Sequence, residues 1–175
     1  MIFNVSEYRR PSPGRSWRQA AAKAVAVATV LVLLSAVVAC APKVQTSLNA
    51  HQPPRLTKTH AVMRDGAKLP LTRWLPAKPP VVAVVALHGF NDHSGAFDDL
   101  GPSLASAGVA VYAYDQRGFG GAPGRGIWAG AAAMGEDLAE VVHLVRARHP
   151  DIPVHALGES MGGAVIMAAL AGDAR

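Results

Sequence analysis

The sequence predicts an α/β protein in which a mostly parallel sheet is flanked by helices. Three observations carry that class. VVAVVAL, residues 81–87, is continuously apolar and rich in β-branched residues, as expected of a strand buried on both faces. Met134, Leu138, Val141, Val142 and Val145 recur at spacings that put one apolar face on a helix. From about residue 59 onward, short apolar runs alternate with helical stretches, the order that builds parallel strands joined by right-handed crossovers.

The chain has 175 residues, half of them apolar, enough for one domain with its own core. Lys and Arg number 17 against 12 Asp and Glu. Five of those bases and one acid precede Cys40, which leaves 12 bases and 11 acids in the rest, a net of +1. A body so near neutrality offers no electrostatic reason for nucleic-acid binding. The single cysteine excludes an internal disulfide, and no His, Asp, Glu or Cys cluster has metal-ligand spacing.

The excess charge sits ahead of AVAVATVLVLLSAVVAC, residues 24–40. A basic stretch followed by 16 uncharged, almost wholly apolar residues has the layout of a secretory signal. Val37-Val38-Ala39-Cys40 resembles a bacterial lipobox, in which the cysteine is lipidated and becomes the N-terminus. An uncleaved membrane anchor, short for a span of about 20 residues, and an ordinary cleaved signal remain as alternatives. All three place the body outside the cytoplasm, in a bacterial cell envelope. Residues 1–39 are therefore expected to be a lipoprotein-type signal peptide, 40–58 a polar tether, and 59–175 the folded body.

Within that body, HAVMRDGAKLPLTRWL reads as two strands around an Asp65-Gly66 turn. The strand at 81–87 leads through a glycine-bearing loop to a short helix near 100–107, with Pro102 tolerated in its first turn. Val109–Tyr114 is the next strand. After a glycine-rich loop over 118–130 comes the helix carrying Met134 to Val145. Glu136 and Asp137 are placed near its start and Arg146 and Arg148 near its end, where the helix dipole favours them, and His149-Pro150 stops it. Val154–Leu157 is a further strand and Met161–Ala171 a further helix.

The chemistry is carried by GESMG, residues 158–162, between that last strand and its helix. This is the context of a G-x-S-x-G nucleophile elbow. Ser160 sits in a turn so sharp that its backbone is strained, and Gly158 and Gly162 are needed because side chains there would strike the adjoining strand and helix. His88-Gly89-Phe90-Asn91 follows the 81–87 strand directly. An oxyanion hole needs two backbone N–H groups aimed at one point, and Met161 and Phe90 are the expected donors. Asp115 and Arg117 read as a pair that fixes a loop. His93 precedes Ser160 and His155 lies inside a strand, so neither suits a general base in this order. GRGIWA, residues 124–129, mimics a dinucleotide fingerprint but does not join a strand to its helix.

HGFNDHSGAF, YAYDQRGFG and GESMGGAV, in this order and spacing, resemble the monoacylglycerol lipase and lysophospholipase branch of the α/β-hydrolase superfamily, often grouped with serine aminopeptidase-like hydrolases. The resemblance runs from about His60 to the last residue. It implies an eight-stranded, mostly parallel sheet, a lid, and hydrolysis of lipid-like acyl esters with no cofactor. By position it makes Ser160 the nucleophile, Phe90 and Met161 the oxyanion donors, and His88 and Asp115 residues that shape neighbouring loops.

The family order is Ser, then Asp or Glu, then His. After Ser160 the sequence holds Asp173 as its sole acid and no histidine. The triad acid and base are thus not among these residues, and the sequence reads as the N-terminal part of such a fold, truncated after the elbow. The expected function is a membrane-tethered serine hydrolase of monoacylglycerol or lysophospholipid esters, the piece itself inactive. The alternatives are a non-catalytic lipoprotein on a degenerate scaffold and a serine peptidase of the same fold.

Overall fold

The computed structural model describes residues 15–39, 45 and 51–172. The chain divides into two compact units, Met1–Pro42 and Lys43–Arg175. In the first, α1 (Arg15–Ala39) is one continuous helix. Val25, Val27, Val30, Leu31 and Val32 are all more than half exposed on it. Among the described residues no helix is long and apolar enough to cross a membrane. Cys40 and Asp173 lie outside the described residues.

The second unit is built on a six-stranded sheet. Its strands are β1 (Arg55–Leu56), β2 (His60–Val62), β3 (Lys68–Trp74), β4 (Val82–Leu87), β5 (Val109–Tyr114) and β6 (Val154–Gly158), in the order β1-β2-β3-β5-β4-β6. β2 and β3 form the expected hairpin. Gly66 takes φ 90°, its N–H donates to the Met63 carbonyl, and Asp65 Oδ1 accepts from the Ala67 N–H at 3.0 Å. A residue with a β-carbon would be strained at that φ.

The described sheet is mixed rather than mostly parallel. β4 pairs in parallel with both β5 and β6, but β1–β2, β2–β3 and β3–β5 are antiparallel. The apolar runs do mark buried parallel strands; they say nothing of how the N-terminal hairpin joins them. Part of the expected tether also belongs to the sheet, since Arg55 pairs with Val62 and Leu56 with Ala61.

Helices cover both faces, and the alternation along the central strands shows which residues they meet. Val85, Leu87, Tyr112 and Tyr114 point into a core with Met134, Leu138, Val141, Val145 and Val165 from α3 (Ala131–Arg148) and α4 (Met161–Gly172). Ala86, Val111 and Ala113 face the other way, toward Phe97, Trp74 and Leu104. There α2 (Leu100–Ser106) packs so tightly that a β-carbon on Gly101 would lie 2.3 Å from the Trp74 ring. Burial of this kind contributes about 1.5–3 kcal/mol per large side chain. Among the described residues β6 is the edge strand beyond β4, and Leu157 within it and Met167 and Leu170 on α4 are exposed.

α3 starts at Ala131, earlier than the acidic residues suggest. Its first turn holds no acid, whereas Arg146 and Arg148 do occupy the last turn. Asp137 is therefore not a dipole residue. It is buried and takes Arg117 Nε and Nη2 on its two oxygens, at 2.8 and 2.7 Å. The other side of the same guanidinium grips Asp65 at 2.6 and 3.1 Å. Hydrogen bonding to Asp137, more than the second bond to Asp65, raises the Arg117 pKa further above its ordinary value against the opposing effect of burial. Burial pushes the Asp137 carboxyl up to about 6, and Arg117 pulls it back. One arginine thus ties the β2–β3 hairpin, the loop after β5 and α3 together.

Arg117→Met should leave Asp137 buried without its partner and cost about 3–5 kcal/mol in urea unfolding at neutral pH. Arg117 is what pulls this carboxyl down to about 6, so without it the stranded group takes a proton at higher pH. The penalty should shrink as pH falls toward about 6 and level off below, where the wild-type carboxyl is protonated as well. A loss below about 1 kcal/mol at neutral pH would show that the network is not a buried tie.

Candidate active site

β6 ends at Gly158, α4 begins at Met161, and only Glu159 and Ser160 lie between. Ser160 takes φ 48° and is exposed. For a residue with a β-carbon this left-handed conformation costs about 1–2 kcal/mol. The surrounding contacts hold it there. The Glu159 N–H donates to the Leu87 carbonyl at 3.0 Å, Gly162 donates to the Glu159 carbonyl at 2.8 Å, and Ala164 donates to the Ser160 carbonyl at 3.2 Å.

The two flanking glycines answer to steric need. A β-carbon on Gly158 would lie 2.4 Å from the Gly162 carbonyl carbon and the Gly163 nitrogen. One on Gly162 would lie 2.3 Å from the Leu87 carbonyl oxygen, an atom of the neighbouring strand. Backbone meets backbone in both cases, so no side chain is free to move aside. The hydroxyl therefore stands on a sharp turn at the N-terminal end of a helix, where partial positive charge favours a developing anion.

The loop after β4 lies directly against this turn. A β-carbon on Gly89 would be 3.8 Å from the Ser160 β-carbon and 3.9 Å from the Glu159 carbonyl oxygen. His88, fully buried, anchors that loop. Its Nε2 accepts the Gln116 N–H at 3.0 Å, so Nδ1 must carry the proton and donate to the Gly89 carbonyl at 2.7 Å. Burial lowers the His88 pKa, which keeps this neutral tautomer in place. The Gln116 amide closes the clip by donating to the His88 carbonyl at 2.8 Å. Phe90, 72% exposed, leans its ring against Phe119 at 5.5 Å, and Asn91 next to it takes φ 59°.

Asp115 and Arg117 do not pair with each other. Asp115 receives the Ser94 N–H on Oδ1 and the Gly121 N–H on Oδ2, both at 2.8 Å, while Arg117 is occupied by Asp65 and Asp137. Each fixes a loop, by separate partners. A β-carbon on Gly120 would fall 2.2 Å from Asp115 Oδ2, which explains why the chain narrows to glycine there. The expected donors are split in setting. Met161 opens α4 and is half-buried, whereas Phe90 borders a cavity of about 270 Å³ together with His93, Phe119, Ile127 and Trp128. Ser160 is not in the lining of that cavity. His93 sits 3.3 Å from Asp92, and His155 lies within β6. Among the described residues, no group of three or more His, Cys, Asp or Glu is arranged to hold a metal.

Gln116 is the residue of this region that the sequence does not announce. Its partner lies 28 positions away, and no local pattern marks such a bond.

A sequence profile described as "Serine aminopeptidase, S33" matches residues 78–175, more than half of the chain. The chain belongs to this family. It is 34% identical to the monoglyceride lipase of Rattus norvegicus over 113 residues, 64% of this chain and 37% of that protein. Against the monoacylglycerol lipase of Mycolicibacterium smegmatis the identity is 32% over 104 residues, 59% of this chain and 37% of the relative. The chain thus spans 37% of the length of each of these two curated relatives. A thermostable carboxyl esterase from Bacillus coagulans superposes with a TM-score of 0.59 at 23% identity, covering 70% of this chain and 42% of that one. An α/β serine hydrolase without lid from Xanthomonas campestris gives 0.53 at 20% identity, with 69% and 59% covered. At such identities the likeness shows fold, and the fold is that of an α/β hydrolase.

Gly162→Ala should force the elbow away from Leu87. The expected result is a loss of stability of about 1–3 kcal/mol, as for other overpacked sites, read from the urea midpoint. An unchanged midpoint would show that the turn is not held against β4.

Proposed function

We propose that the whole protein is a serine hydrolase of carboxylic esters, with monoacylglycerols or lysophospholipids as its substrates. The observation that carries the reading is Ser160 itself: an exposed hydroxyl held at φ 48° between a strand and a helix, with Gly89 packed against it. Nothing in the packing of the core requires a serine at that φ, and the geometry suits a nucleophile presented to a carbonyl.

In this reading the Ser160 Oγ attacks the ester carbonyl while a histidine takes its proton. The backbone N–H groups of Phe90 and Met161 receive the negative charge that develops on the carbonyl oxygen, a service worth about 2.7–4 kcal/mol per donor. The alcohol leaves with the proton returned by the histidine, and water then releases the acyl group by the same route in reverse. No histidine follows Ser160 in these 175 residues, so the proposal assigns base and acid to residues outside them. The monoglyceride lipases among its relatives support the choice of substrate class.

We also place the protein in the bacterial envelope, held to a membrane through lipid on Cys40. The basic stretch, the apolar segment and the small residue before Cys40 support this.

Two measurements test these readings. In the whole protein, Ser160→Ala should lower p-nitrophenyl ester hydrolysis by about 10⁶-fold, on the order of what loss of a triad serine costs elsewhere. The 175-residue chain alone should show no turnover above background. Equal hydrolysis with and without the hydroxyl would remove the serine mechanism, and a whole protein that cleaves only aminoacyl amides would be a peptidase. An inert whole protein would favour a non-catalytic scaffold. Separately, Cys40→Ala should abolish incorporation of labelled palmitate in a bacterial host. Undiminished labelling would remove the lipoprotein assignment.

A further inference from the structure

Gln45 lies five positions after Cys40 in a stretch whose composition suggests a free tether, yet it is locked onto the loop between β5 and α3. Its backbone N–H donates to the Trp128 carbonyl at 3.2 Å. Its side-chain amide donates to the carbonyls of Ile127 and Gly124 at 2.8 and 3.1 Å. The fit is close: a β-carbon on Gly124 would lie 2.2 Å from the Gln45 amide carbon, and one on Gly118 would lie 3.2 Å from its nitrogen. Gly118, Gly124 and Gly126 all have positive φ. The loop is shaped to receive the amide.

The same loop carries apolar side chains outward. Ile127 is 40% exposed and Trp128 39%. With Phe90 they are the exposed apolar side chains on the rim of one cavity, which Asp92, His93 and the exposed Arg125 share. An exposed tryptophan with aliphatic and aromatic neighbours and one arginine is the composition that settles at a membrane–water interface. Five residues of chain reach roughly 18 Å at full extension. A membrane attachment at Cys40 therefore keeps this rim within a short reach of the lipid headgroups.

We infer that Phe90, Ile127 and Trp128 form a surface that docks on a lipid bilayer, and that Gln45 holds it in register with the attachment point. The inference rests on the membrane-directed reading of the N-terminal segment. It is independent of whether Ser160 is a nucleophile. The Gln45 clip ties the chain five positions after Cys40 to this loop. Arg125 meets phosphate oxygens while the three apolar side chains enter the interface. The rim, and with it the Phe90 backbone beside the elbow, is then turned toward the phase in which a lipid ester resides.

The test uses the full chain with Trp17→Phe, so that Trp128 and the half-buried Trp74 are the emitting indoles. Vesicles of phosphatidylcholine and phosphatidylglycerol with brominated acyl chains should quench a fraction of the emission. Adding Trp128→Phe should remove that quenched fraction. Gln45→Glu sets a carboxylate against two carbonyl oxygens and should reduce the quenching, with sedimentation of the protein on vesicles unchanged. Ser160→Ala should leave the quenching as it is, whatever it does to ester hydrolysis. Protein that sediments with unquenched Trp128 would overturn the docking surface, as would protein that does not sediment with vesicles. Quenching that survives Gln45→Glu in full would overturn the role of the clip.

Discussion

The candidate site depends on a single close approach, that of the elbow to the carbonyl of Leu87. Gly162 passes so near this oxygen that a methyl group has no room, and the Glu159 N–H bonds to the same oxygen. β4 therefore serves two ends at once. Its last carbonyl fixes the turn that carries Ser160, and its continuation through His88 and Gly89 forms the wall opposite the hydroxyl.

Around that contact the polar groups of the loops are satisfied by long-range pairs. His88 and Gln116 join the ends of β4 and β5, Asp115 ties the β5 end to the turn after β4, and Arg117 ties it to the hairpin and to α3. Two buried atoms lack a hydrogen-bond partner among the described residues, the Tyr114 hydroxyl and Gln116 Oε1. Burial raises the Tyr114 pKa well above the usual phenol range, so its hydroxyl stays protonated beside Arg117 and Asp137. Both atoms lie where the strand ends meet, the region in which the chain trades tight packing for loop geometry.

Much of this was legible in the sequence because the signals were local. A run of β-branched residues marked β4, an Asp-Gly turn marked the hairpin, and a glycine two positions either side of a serine marked the elbow with its steric reason. The parts that escaped depend on contacts between distant residues. Nothing in Arg55 or Leu56 signals a strand, because two residues paired through backbone leave no side-chain period. The early start of α3 follows from Ala131 to Ala133, good helix formers after Gly130 at φ 93°, whereas a reading of charge alone puts it later. Asp137 looked like a helix-dipole residue because its partner is 20 positions away. Gln45 looked like linker because an amide that binds carbonyls carries no pattern of its own.

Ser160 occupies a backbone conformation that glycine adopts without strain. Random replacement there has an easy thermodynamic exit: a chain with Ser160→Gly would sacrifice the hydroxyl and relax by as much as about 1 kcal/mol. The left-handed backbone at this position is therefore a cost that Ser160 carries in the folded chain and that a glycine would not.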